Sequence, residues 1–182
     1  MTITEILAKD NVCSRLLAKF EERYGPVRVR EKAWWVPTPP RFTTTFWRTI
    51  HWARGREYDR PEDALGTLAH ELQHVVQFTK RPVAMPLLYL MPQLLAVLCL
   101  FGLLWWPLWC FALLALPWPS PTRVRYEVEG YVTGSTPSLR IVEVLTSWSY
   151  YRASWSASAV WTAVMLQRQG WTEVEGLKKE VR

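Results

Sequence analysis

His70-Glu71-Leu72-Gln73-His74 places two imidazoles four residues apart, with a carboxylate directly after the first. On a helix, residues four apart share one face, so both rings can reach a single Zn²⁺. Glu71 can then hydrogen-bond a water on that ion and act as general base, the ion having lowered the water's pKa to about 7. A chance HExxH on a surface helix is the plainer account. Two features weigh against it: two of the chain's 3 histidines fall within this pentapeptide, and the surrounding segment carries a helix start signal and an apolar face.

Such a centre needs a third protein ligand and an open position. His51 is one candidate, although beside Trp52 in an expected strand it reads first as a packed histidine. The better candidates are Glu127 and Glu129, in Arg125-Tyr-Glu-Val-Glu-Gly-Tyr131. Glu127 and Tyr131 share a helical face, whereas Glu129 points about 160° away from Glu127, so only one of the two carboxylates can face the ion. Tyr131, Tyr150, Tyr151 and Arg152 are the candidate oxyanion stabilisers, each weighed against simple aromatic packing.

The elements that must position these groups follow from periodicity. Residues 2–24 carry Ile3, Ile6, Leu7, Val12, Leu16, Leu17 and Phe20 at helical spacing, stopped by Gly25-Pro26. Residues 27–34 alternate as a strand, 37–40 form a proline break, and 42–52 are rich enough in β-branched and aromatic residues for a second strand or a hairpin. A helix then starts near Asp59-Arg60-Pro61, with Asp59 as its expected cap, and runs to Gln77. Further helices are expected from Arg123 to Tyr131, over 138–148 and over 154–169, and the last dozen residues read as a frayed tail.

The run Leu65-Gly-Thr-Leu-Ala-His-Glu-Leu-Gln-His-Val-Val-Gln-Phe78, followed by Glu127-Val-Glu-Gly-Tyr131, resembles the gluzincin branch of the zincin metallopeptidases. It is similar also to small HExxH proteins of bacteria and phages. Gluzincins carry HExxH on one helix and a glutamate ligand on a later one. In related membrane zincins the third ligand opens a Glu-x-x-Ala-Asp pattern. Here Gly130 stands in the alanine's place and Tyr131 in the aspartate's. The resemblance covers roughly residues 42–131. It implies His70, His74 and Glu127 as ligands of Zn²⁺, Glu129 as the alternative, Glu71 as general base, and a peptide or protein substrate lying along the strand before the metal helix.

Between Arg81 and Arg123 lie 41 residues without a charge, and 83–118 are almost wholly apolar. One bilayer span takes about 20 apolar residues, so this block exceeds one and falls short of two. With the histidines before it and the glutamates after it, both ends must lie on one side of any membrane. A hairpin of arms 84–101 and 103–118 about Gly102, or a re-entrant loop, satisfies that condition. Each arm would rise about 24–27 Å. Lys80-Arg81 and Arg123/Arg125 at its two ends favour the cytoplasmic side.

The expectation is therefore a single α+β zincin-like domain over 1–182: an N-terminal helix, a short sheet, the HExxH helix and C-terminal helices, with a membrane-associated hairpin inserted at 83–118. A net charge of +6 without any Lys/Arg stripe beside an aromatic platform argues against nucleic acid as partner. Cysteines at 13, 99 and 110 are too few for a disulfide framework. The expected function is a membrane-associated zinc metallopeptidase. The rival is a non-catalytic zincin fold acting as a structural or membrane-interaction component, for example in a phage particle or secretion assembly.

Overall fold

The computed structural model describes residues 1–34, 36, 42–89, 105, 110, 120–147, 156–170 and 172–181. The fold is mixed α+β. Two helices, α1 (Ile3–Leu7) and α2 (Val12–Tyr24), lead into a sheet of β1 (Arg28–Glu31), β2 (Thr44–Phe46) and β3 (Thr49–Trp52). Then come α3 (Pro61–Lys80), α4 (Ala84–Tyr89), α5 (Pro121–Thr133), α6 (Ser138–Thr146), α7 (Ala157–Gln169) and α8 (Glu173–Glu180).

The single N-terminal helix expected over 2–24 is two helices. Asn11 breaks it, because its side-chain oxygen accepts from the main-chain N–H groups of Cys13 and Ser14 and so caps α2 from an extended conformation. The apolar spacing survives the break: Ile3, Ile6, Leu16 and Phe20 all point into one core. The hairpin expected over 42–52 is present as β2 and β3, joined by Trp47-Arg48 in antiparallel register with Thr45 opposite Ile50. β3 is central, pairing in parallel with β1, so β2 forms an edge of the sheet.

The metal-motif helix α3 begins one residue later than its expected cap. Arg60, not Asp59, is the N-cap residue, and its N–H donates to Asp63 in the first turn. Every residue from Leu68 to Phe78 is buried. A helix hidden on all sides needs packing partners all round, and α3 has them in the sheet, α2, α5 and α8. Its apolar residues join the core built on α1, α2, the sheet and α8, while α5, α6 and α7 enclose a second core around Val128, Ile141, Leu145, Val160 and Val164.

Two further expectations are corrected. The supposed tail is α8, capped by Thr172 and seated in the main core through Val174 and Leu177. Its Lys178 donates to the Thr133 carbonyl and the Ser135 hydroxyl, closing the C-terminal end of α5. The second correction is the membrane placement, with the metal site on the cytoplasmic side. Among the described residues no helix is long and apolar enough to cross a membrane. Of the apolar block, Ala84–Tyr89 is described as helix. The rest of the expected arms 84–101 and 103–118 lies almost wholly outside the described residues. The block's two ends do meet: Thr122 Oγ1 donates to the Leu88 carbonyl at 2.6 Å.

Candidate metal centre

The centre lies where α3 crosses α5, and glycine decides how closely they approach. The helices run antiparallel, with Gly66 against Gly134 and His70 against Gly130. A Cβ on Gly66 would stand 2.8 Å from the Gly134 carbonyl oxygen, and one on Gly130 would stand 2.9 Å from two atoms of the His70 ring. Larger residues would force the helices apart. Further along α3, Gln77 meets Tyr126, whose carbonyl accepts from Gln77 Nε2 at 3.2 Å, and Glu127 is turned towards His70 and His74.

The donor atoms converge. Glu127 Oε2 lies 3.6 Å from His70 Nε2 and 3.7 Å from His74 Nε2, and the two nitrogens are 3.1 Å apart. Donors held tetrahedrally at about 2.0–2.1 Å from a cation stand about 3.3–3.4 Å from one another. The observed triangle is close to that spacing without rearrangement. Two imidazoles and one carboxylate, all buried, form the one cluster among the described residues that could hold a metal ion.

Hydrogen bonding fixes the tautomer of His74. Gln77 Nε2 donates to the Tyr126 carbonyl and to Glu129 Oε2 at 3.1 Å, so its amide oxygen is turned towards His74 Nδ1, 2.8 Å away. Nδ1 must therefore carry a proton, which directs the ring's other nitrogen into the cluster. Gln73 and Gln77 both donate to Glu129, which stands apart from the cluster. Of the two carboxylates left open by helix geometry, the structure places Glu127 with the histidines.

The charges follow from this packing. Burial works against a charged His74, but the Glu127 carboxylate beside it prevails and lifts its pKa to about 9. His70 is driven the other way, to about 3, by burial and then by the charge on His74. Burial alone would raise Glu127, yet the two histidines hold it well below the usual carboxylate range. In the chain by itself, then, His74 holds the cluster's proton, favoured by the Glu127 carboxylate, and His70 is neutral.

Glu71 is buried on the β2 side of α3. Thr45 Oγ1 donates to its carboxylate at 2.7 Å, and burial raises its pKa. Lys32 lies nearby, buried, with its ammonium on Thr44 Oγ1 at 3.0 Å and on the Phe42 carbonyl. Burial lowers the lysine's pKa while the charge of Glu71 opposes that shift. The edge strand thus aligns the carboxylate from its own Thr45.

His51 is buried on β3, paired in register with Thr44, and stands outside the cluster. Tyr131 packs edge-on against His70, with centroids 4.5 Å apart. Tyr150, Tyr151 and Arg152 lie outside the described residues. Sequence reasoning missed Thr45, Gln77 and Tyr89. Gln77 had a signal, since it follows His74 by three residues and so shares its face of the helix. Tyr89 had none: it lies within the apolar block, and its phenol donates to Glu127 Oε1, 38 positions further along the chain. Comparison with known protein families, with curated proteins and with solved structures finds no match to this chain.

Proposed function

We propose that this chain is a zinc-dependent metallopeptidase, with His70, His74 and Glu127 holding the ion and Glu71 as general base. The observation that carries the reading is a division of labour. Three donors converge at the spacing of one ion's ligands, while the neighbouring carboxylate, Glu71, is bonded to Thr45 and left out of the triangle. Two histidines and a carboxylate make zinc the default ion. When bound, zinc would polarise a peptide carbonyl and acidify a water.

The protein groups have separate tasks. Gln77 orients His74 through Nδ1 and keeps its Nε2 directed inward. Thr45 holds one oxygen of Glu71, which restricts the rotation of the carboxylate and presents its other oxygen for proton transfer. The raised pKa of Glu71 suits a group that must take a proton from water and pass it to a leaving amine. An extended substrate would pair with the outer edge of β2, beside that carboxylate.

One observation favours a second reading, a metal-bearing zincin-like fold without turnover. His70, Glu71, His74 and Glu127 are only 8%, 5%, 7% and 2% exposed, so all four are buried. A closed site is the habit of structural metal centres. The experiment that separates the readings is zinc analysis of wild type and Glu71→Gln beside cleavage of a random peptide mixture followed by mass spectrometry. The peptidase reading expects about one zinc in both proteins and cleavage by wild type alone. Zinc in both without cleavage in either supports the structural reading, and equal cleavage by Glu71→Gln removes the general-base assignment.

A further inference from the structure

Tyr89 ends α4, and its position is over-determined. Met85 on the same helix packs with Phe78 and Tyr126. The Arg123 guanidinium sits 5.1 Å from the centroid of the Tyr89 ring. The adjacent Leu88 carbonyl is tied to Thr122 on α5. So held, the phenol donates its hydrogen bond to Glu127 Oε1. The other oxygen, Oε2, is the one that approaches both histidine nitrogens, at 3.6 and 3.7 Å.

A carboxylate can offer a metal ion one oxygen or two. With two, Glu127 would join the histidines to fill four positions and close a tetrahedral site, whereas with one it would leave a position for an incoming molecule. We propose that Tyr89 is the positioning residue that restricts Glu127 to one oxygen, and that it thereby keeps a coordination position open. The inference rests on the metal-site reading given above. It extends that reading to a residue within the apolar block, 38 positions from the ligand it controls. A hydrogen bond to the outer oxygen fixes the carboxylate's rotation and withdraws that oxygen from the ion. Phenylalanine fills the same space without the donor, so Tyr89→Phe isolates this one interaction.

The test uses the full chain loaded with cobalt(II), whose visible spectrum reports coordination, and azide as a small anion that occupies an open position. Wild type and Tyr89→Phe should each take up about one cobalt. Wild type should change its spectrum on azide addition, and Tyr89→Phe should need at least about 10-fold more azide for the same change. Zinc X-ray absorption on wild type supplies an arm that no variant's folding can spoil, and it should show one short carboxylate oxygen at about 2.0–2.2 Å. Equal azide midpoints in the two proteins, no azide response in wild type, or two short carboxylate oxygens in wild type would each overturn the role of Tyr89. A wild type that takes up neither cobalt nor zinc overturns instead the metal-site reading beneath it.

Discussion

Gly130→Ala puts a methyl group where the closeness of α3 and α5 is set, and its effect can be worked out against a matched control. In an unconstrained helix, alanine is better than glycine by about 1 kcal/mol. Gly176 in α8 is such a position, because a Cβ there meets nothing within 4 Å. Gly176→Ala should therefore stabilise the fold by about 1 kcal/mol. At Gly130 the same Cβ would stand 2.9 Å from His70 Cε1 and Nδ1 and 3.2 Å from Nε2. Ordinary contact begins near 3.4 Å, so ring or helix must yield by roughly half an ångström. Overpacking of this kind costs about 1–3 kcal/mol and cancels or reverses the helix gain. The expected net change is a loss of about 0–2 kcal/mol, which places the two variants about 1–3 kcal/mol apart. The displaced ring also moves Nε2 off the point it shares with His74 and Glu127, so zinc affinity should fall about 10-fold or more. Urea unfolding of the metal-free proteins measures the first quantity, and competition with a chromophoric chelator measures the second. If Gly130→Ala gains stability as Gly176→Ala does and binds zinc like wild type, the close approach does not position His70, and the reasoning fails.

The proton on His74 makes a second prediction. With His74 lifted to about 9, His70 lowered to about 3 and Glu127 already ionised, zinc uptake at pH 7.5 should release about one proton per chain. Titration calorimetry in buffers of different ionisation enthalpy would show it, and release near zero at that pH would contradict the assignment. The same shifts set the stability of the metal-free chain. His74, raised from 6.5, stabilises fully below that value, and its contribution is lost as pH rises through about 9. Glu127, depressed from 4.5, stabilises above that value, and its contribution is lost as pH falls through its lowered value. Leu177→Ala should cost about 2–5 kcal/mol in urea unfolding, because that side chain is buried in the main core. A change within 0.5 kcal/mol, the usual range for an exposed residue, would mean that α8 is a loose tail after all.

Local chemistry makes much of this protein readable without coordinates. Four-residue spacing on a helix is a rigid geometry, so the pairing of His70 with His74 follows from the sequence alone. So do the extended course of 42–52, the helical course of 61–77 with proline in its first turn, and the opposition of Glu127 to Glu129 across α5. These are properties of 3.6-residue and two-residue periods, which neighbours in space do not alter.

What needed the tertiary structure depends on which surfaces meet. The choice of Glu127 over Glu129 is made by the face of α5 that glycine lets approach α3, and sequence shows both faces equally. The apolar character of 83–118 invited a membrane, because length and hydropathy carry no record of what packs where. α4, near the start of that block, places Tyr89 on Glu127. The C-terminal segment is rich in charge and reads as a tail, yet Val174 and Leu177 are four and seven residues beyond Gly170, few but well placed to seat a helix. Residues 45 and 71, or 89 and 127, share no local period. Their hydrogen bonds exist because long-range packing brings their backbones together, and only packing could decide them.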